Sequence, residues 1–92
     1  MTGETSRLVR QTIDRYAVTV RRAQLPACRG LSHKLPDGYL VLIDDRLTQG
    51  RAERALLHEL LHIKLGHFDH RADLPEWLKE LEVNQALKEL GI

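Results

Sequence analysis

The pattern of apolar and polar positions changes from a helical period to strand-like segments in the first half of the chain. A first helix is predicted over residues 6–16, where apolar side chains return at roughly helical spacing between arginines. Three short segments follow with the β-branched or alternating pattern typical of strands, at 17–23, 31–34 and 39–43. The Pro-Asp-Gly sequence at 36–38 is typical of a turn. We therefore expect a small, mostly antiparallel sheet.

Two further helices are predicted in the second half of the chain. Residues 49–65 carry apolar side chains on nearly every side of a helix, which indicates that this helix is buried. Thr48 is a suitable N-cap for it, and Gly66 is a suitable left-handed terminator. A last helix is expected over residues 73–90, with Glu76 completing a capping-box-like pair in its first turn. The predicted fold class is α+β, with an N-terminal helix, a small mostly antiparallel sheet, a central helix and a C-terminal helix.

The length and charge of the chain limit the kinds of protein that it can be. Its 92 residues fit a single domain over residues 1–92. Lys and Arg number 14 against 13 Asp and Glu, and the net charge of +1 provides no broad field for gripping nucleic acid or an anionic membrane. The single cysteine, Cys28, cannot form an internal disulfide, and no apolar run has the length of a signal peptide or membrane span. We expect a cytoplasmic protein without direct nucleic-acid or membrane partners, and no chemical role for Cys28.

The central helix carries the sequence His58-Glu59-Leu60-Leu61-His62. Residues four apart project from the same face of a helix, so His58 and His62 can hold one ion between their imidazoles. Glu59 lies about 100° further around the axis, where its carboxylate can reach a water on that ion. Zinc lowers the pKa of such a water to about 7, and a nearby carboxylate can take its proton during attack on a carbonyl carbon. The motif therefore predicts zinc-dependent amide hydrolysis with Glu59 as general base.

The alternative is that this spacing arises by chance on an ordinary core helix. The surroundings of the motif argue against chance, because its neighbours from position 55 to position 65 are mostly apolar. Unpaired His and Glu side chains would be costly to bury there. A bound metal would remove that cost, and we therefore favour a Zn²⁺ site.

A zinc hydrolase site needs a third protein ligand and an open fourth position. Glu82 is the expected ligand, because it lies within an apolar row at four-residue spacing formed by Leu78, Ala86 and Leu90. A carboxylate in such a row needs a counter-charge, unless it reaches solvent at the rim of the row. The other glutamates of this helix are expected at the solvated surface: Glu76, Glu80 and Glu89.

Two histidines that follow the central helix compete for the same role. An elongated motif of the metzincin type would need Gly at position 65 and His at position 68, where this chain has Leu65 and Phe68. We keep His67 as a residue that supports the ligands from behind or contacts substrate. His70 is expected at the surface, and no chemical role is expected for His33.

These motifs resemble the ImmA/IrrE family of metallopeptidases, which is common in bacteriophages, integrative elements and bacterial stress regulators. The resemblance covers roughly residues 36–90 and rests on the His58–His62 motif, on Leu65-Gly66-His67 and on Glu82-Val83-Asn84-Gln85-Ala86. The last stretch is similar to the family's Glu-Ala-Asn-x-Phe-Ala helix, whose first Glu is the third zinc ligand. It differs in having Val83 in place of Ala, and the chain ends soon afterwards, so we expect a minimal zincin-like version of the fold.

The resemblance implies a zinc endopeptidase that cleaves a transcriptional regulator such as a helix-turn-helix repressor. An extended substrate would pair with a sheet edge beside the catalytic helix, and residues 39–43 are the strand expected to provide it. The alternative is a zinc-stabilised binding protein that controls a regulator by association without cleaving it. The peptidase needs the Glu59 carboxylate for its activity, whereas the binding protein does not. A DNA-binding accessory is disfavoured by the near-neutral charge and the absence of a recognition helix.

Overall fold

The computed structural model describes residues 3–92 and contains three helices and three strands in the predicted order. The elements are α1 (Gly3–Tyr16), β1 (Val18–Ala23), β2 (Gly30–Leu35), β3 (Gly38–Asp44), α2 (Gln49–Lys64) and α3 (Glu76–Glu89). The α+β class is therefore confirmed. Among the described residues, no helix is long and apolar enough to cross a membrane.

The strand order in the sheet is β1-β3-β2. β1 runs parallel to β3, with Val18 opposite Tyr39, whereas β2 runs antiparallel to β3, with Leu35 opposite Gly38. The sheet is thus mixed, which corrects the expectation of a mostly antiparallel one. The expectation that residues 39–43 form an edge is also wrong. This strand is the most deeply buried of the three and takes the central position, where both of its neighbours use its backbone groups.

Two apolar clusters hold the helices in place. One joins the sheet to α2 and includes Val41, Ile43, Leu60 and Ile63, each at most 2% exposed. The other joins α2 to α3 and consists of Leu57, Leu61, Val83 and Leu87. Because burial of each such side chain contributes about 1.5–3 kcal/mol, the second cluster fixes which face of α3 turns towards α2.

The ends of α2 follow the sequence expectation, whereas the start of α3 does not. The side chain of Thr48 accepts a hydrogen bond from the backbone N–H of Arg51 at 3.4 Å, and Gly66 has a positive φ of 78°. Helix α3 begins at Glu76 after Pro75, and not at Asp73. The residue before a proline avoids the helical region, so a helix cannot readily run through position 74.

Candidate metal centre

Helix α2 carries three polar side chains on the surface that it turns towards β2 and α3. His58 and His62 are one turn apart, and their ring centroids are 4.8 Å from each other. His62 is 7% exposed and Glu59 8% exposed, while His58 is partly exposed. Two imidazoles and a carboxylate thus share one mostly buried patch of α2.

The third group that meets the two imidazoles is Glu80 of α3. The Nε2 atom of His58 lies 2.9 Å from Oε2 of Glu80, and Nε2 of His62 lies 2.9 Å from Oε1 of the same carboxylate. One ligand atom from each of the three residues lies within 4.8 Å of the other two. This arrangement corrects two expectations, since Glu80 does not point away from the motif and Glu82 does not join the two histidines.

The rotation of α3 about its axis explains why Glu80 takes this place. The buried face of the helix is defined by Val83, at 0% exposure, and Leu87, at 2%. Glu80 precedes them by three and seven residues, which places it on that same face. The row predicted from the sequence lies on another side of the helix and is only partly buried: Leu78, Glu82, Ala86 and Leu90. The signal that could have identified Glu80 is the extension of the Val83 and Leu87 row towards the start of the helix.

Glu82 belongs to a second group of charged and imidazole side chains. One of its oxygens lies 2.7 Å from Nε2 of His67, and the other accepts a hydrogen bond from Nη2 of Arg71 at 2.5 Å. The Arg71 guanidinium, followed by His67, holds the pKa of Glu82 below its usual value. The carboxylate is therefore ionised and already has its counter-charge.

His67 connects this second group to the first. It is 2% exposed, and its Nδ1 atom lies 2.8 Å from Nδ1 of His62. The two contacts of His67 are both satisfied when its Nε2–H donates to Glu82 and its Nδ1 accepts from Nδ1–H of His62. In that tautomer the Nε2 lone pair of His62 is free to act as a ligand. The structure thus places His67 directly behind His62, where it can orient the ring.

Glu59 is held by one contact from the sheet and one from its own helix. Its Oε1 accepts a hydrogen bond from Oγ of Ser32 on β2 at 2.7 Å, and its Oε2 lies 3.0 Å from Nδ1 of His58. Burial acts to raise the pKa of Glu59, but the hydrogen bonds from His58 and Ser32 outweigh it and lower that pKa. Ser32 was not identified from the sequence, because its contact with Glu59 joins positions 27 residues apart.

The pKa values of the two histidines move in opposite directions. The pKa of His58 is raised, chiefly by its hydrogen bond with Glu59. The pKa of His62 is lowered, chiefly by burial and then by the neighbouring charge of His58. His62 is consequently the more readily neutral of the pair, as a metal ligand must be.

A groove of about 610 Å³ runs beside these groups between β2 and α3. Its walls include Ser32, His58, Glu59, His62, Lys79 and Glu80. The donor set of two imidazole nitrogens and one carboxylate oxygen is one that zinc accepts with three protein ligands. The groove provides space on the open side for a water molecule or a substrate group. The residues therefore fit a catalytic type of zinc centre better than a closed structural one.

The remaining candidates lie outside this group. His33 and His70 are exposed, and Cys28 is a free, exposed thiol.

The chain matches no family model, no curated protein and no solved structure. The functional argument therefore rests on the geometry of the site.

Proposed function

We propose that this chain is a zinc-dependent peptidase in which His58, His62 and Glu80 hold the metal and Glu59 is the general base. The observation that supports it most is the convergence of both Nε2 atoms on the Glu80 carboxylate, beside a Glu59 that is positioned from the sheet. The resemblance of the His58–His62 motif to ImmA/IrrE metallopeptidases supports the same reaction.

The chemistry divides between the metal and the chain. Zinc bound at this position would supply Lewis acidity and an attacking water whose pKa falls to about 7. Glu59 accepts the proton of the attacking water and can return it to the leaving amine. Ser32 keeps the Glu59 carboxylate turned towards the groove, and His67 keeps the ring of His62 turned towards Glu80.

The proposed substrate is a polypeptide in extended conformation. The groove is lined by Gly30, Leu31 and Ser32 of β2, an edge strand that pairs with β3 on one side only. An extended chain can add to such an edge through backbone hydrogen bonds. This edge replaces the strand at 39–43 that the sequence suggested. By resemblance, the substrate would be a transcriptional regulator such as a helix-turn-helix repressor, met in the cytoplasm, where a free Cys28 stays reduced.

The proposal is tested by measuring metal content and peptide hydrolysis on the same preparations. We expect one zinc per chain, and hydrolysis that falls about 10²- to 10⁴-fold in Glu59→Gln, because a positioned general base contributes that much. Zinc content should stay unchanged in this variant. Glu89→Gln, an exposed change near the end of α3, is the matched control and should keep full activity.

Two outcomes would contradict the proposal. Stoichiometric zinc with no hydrolysis by the parent, and with Glu59→Gln indistinguishable from it, would favour a zinc-stabilised binding protein. Iron in place of zinc would also count against a peptidase, because two histidines and one carboxylate form the iron(II) site of oxygenases.

A further inference from the structure

A second cavity, of about 300 Å³, adjoins the candidate metal centre. It shares Gly30, His58 and Glu59 with the groove described above, so the two spaces meet at the proposed general base. Its outer part lies between the segment before β2 and the first turns of α2. A substrate that lies across Glu59 would therefore reach into this cavity with one of its side chains.

Three arginines surround the cavity: Arg29, Arg51 and Arg54. None of their guanidinium groups forms an ion pair with any residue in the described range 3–92. Arg46 and Arg71 differ in this respect, because they are paired with Asp44 and Glu82. The arginines of the cavity thus present positive charge that the fold itself does not neutralise.

The acidic residue in the cavity lining, Glu59, does not neutralise them either. Both of its oxygens are already engaged, one by Ser32 and one by His58. An anionic group that enters the cavity would be next to these exposed arginines, and charge-assisted hydrogen bonds to guanidinium groups are among the stronger ones.

The shape of the cavity favours a side chain with a short apolar stem. Its lining includes Ala55, which is 8% exposed, and Leu87, which is 2% exposed, so part of the wall is apolar. Gly30 packs closely against Glu59, because a Cβ there would lie 3.3 Å from Cγ of Glu59 and 3.2 Å from Cδ1 of Ile43.

We propose that this arginine-lined cavity binds an acidic side chain, Asp or Glu, of the polypeptide substrate next to the bond that is cleaved. The assignment of the neighbouring bond rests on the proposed peptidase function, since Glu59 and His58 mark the reacting position. The preference for an acidic side chain rests separately on the three unpaired guanidinium groups and the apolar wall.

The cleavage test uses a mixture of peptides from a digested proteome, with the cleaved bonds identified by mass spectrometry. The zinc-loaded parent should cleave with Asp or Glu enriched at one position beside the bond. For a matched pair of peptides, Asp→Asn at that position should reduce kcat/KM about 10-fold or more, as expected for a charge-assisted hydrogen bond. The combined variant Arg29→Gln, Arg51→Gln and Arg54→Gln should lose this preference, whereas Arg10→Gln on α1 should keep it.

A binding test separates the inference from the proposed function. Fluorescence anisotropy on the Glu59→Gln protein should show tighter binding of the acidic peptide than of its Asn counterpart, with a difference that shrinks at higher salt. Cleavage without an acidic preference, or a preference that survives in the triple variant, would overturn the inference alone. Acid-selective binding with no cleavage by the parent would keep the cavity assignment and overturn the peptidase. Tighter binding of a single-stranded oligonucleotide than of the acidic peptide would overturn the assignment to a polypeptide.

Discussion

Two clusters of histidine and glutamate meet at His62, and they differ in how completely their charges are matched. The open cluster consists of His58, His62 and Glu80, and the Glu80 side chain is 46% exposed. The closed cluster consists of His67, Glu82 and Arg71, and the His67 side chain is 1% exposed. Both contain carboxylate–imidazole contacts of less than 3 Å.

The closed cluster contains a permanent cation. Arg71 supplies a permanent positive charge to Glu82, and both ring nitrogens of His67 have partners. In the open cluster, two Nε2 atoms turn towards one carboxylate without such a permanent cation. The comparison teaches that residue type and distance do not distinguish the two clusters; the permanent cation Arg71, present only in the closed cluster, does.

The largest difference between the two clusters is expected when the carboxylate of each, Glu80 or Glu82, is replaced and zinc affinity is measured. Glu80→Gln should weaken zinc binding about 10²- to 10³-fold, since a site worth about 10–16 kcal/mol would lose one of its few ligands. Glu82→Gln should weaken it about 10-fold or less, because it acts only through His67. Competition with a chromophoric chelator measures both. The reverse ranking would show that Glu82, as expected from the sequence, is the ligand.

The part of the site on α2 could be read from the sequence because its geometry is local. His58, Glu59 and His62 are fixed relative to one another by helical periodicity alone, and the cap at Thr48 and terminator at Gly66 set the limits of that helix. The partners from other elements depend on how helices and strands pack. No local pattern indicates that Ser32 reaches Glu59 from β2.

The choice between Glu80 and Glu82 shows where sequence reasoning failed. Helix α3 has apolar residues on every side, and two of them, Trp77 at 69% and Leu81 at 53%, are exposed. A helix of this kind offers more than one apolar row, so periodicity alone does not decide whether the row of Glu82 or the row of Glu80, Val83 and Leu87 faces α2. The sheet posed a similar problem, because three short strands of similar length do not indicate which one is central.

The link between the clusters predicts the next largest effect. His67→Gln removes the ring that accepts the hydrogen bond of His62 Nδ1–H, while it keeps most of the side-chain volume. We expect zinc affinity to fall about 10- to 100-fold, as for other residues that orient metal-bound histidines. His70→Gln, at an exposed position, is the control. Unchanged affinity in His67→Gln would mean that packing on α2 holds His62 without the closed cluster.

The hydrogen bond from Ser32 of the sheet to Glu59 predicts a smaller effect, which is limited to catalysis and leaves zinc binding unchanged. Ser32→Ala removes the hydrogen bond to Glu59, which at about 1 kcal/mol corresponds to about a 5-fold decrease in kcat/KM. Zinc content should not change, because Ser32 contacts none of the three proposed ligands. Ser6→Ala on α1 serves as the control. A loss of zinc in Ser32→Ala would place Ser32 in the support of the metal and not of the base.

The smallest expected effect concerns the turn segment 66–74, which carries His67 and Arg71 of the closed cluster. Asp69 in this segment contacts the Tyr39 hydroxyl and Lys34 of the sheet. Burial, followed by the hydrogen bond with Asp69, raises the pKa of Tyr39 from 10.0 to about 12. A phenol whose folded pKa exceeds its unfolded value contributes stability that is complete below about pH 10 and is lost as pH rises towards 12.

In a Tyr16→Phe background Tyr39 is the remaining tyrosine, so its ionisation can be followed by ultraviolet absorbance. We expect its titration near pH 12, and a shift to lower pH in Asp69→Asn because the neighbouring negative charge is removed. Burial should keep the pKa above 10.0 even then, since it is the larger cause. A titration near the ordinary value in both proteins would mean that the turn segment is not anchored to the sheet. The closed cluster would then orient His62 from a segment that is not attached to the sheet. This would weaken its distinction from the open cluster.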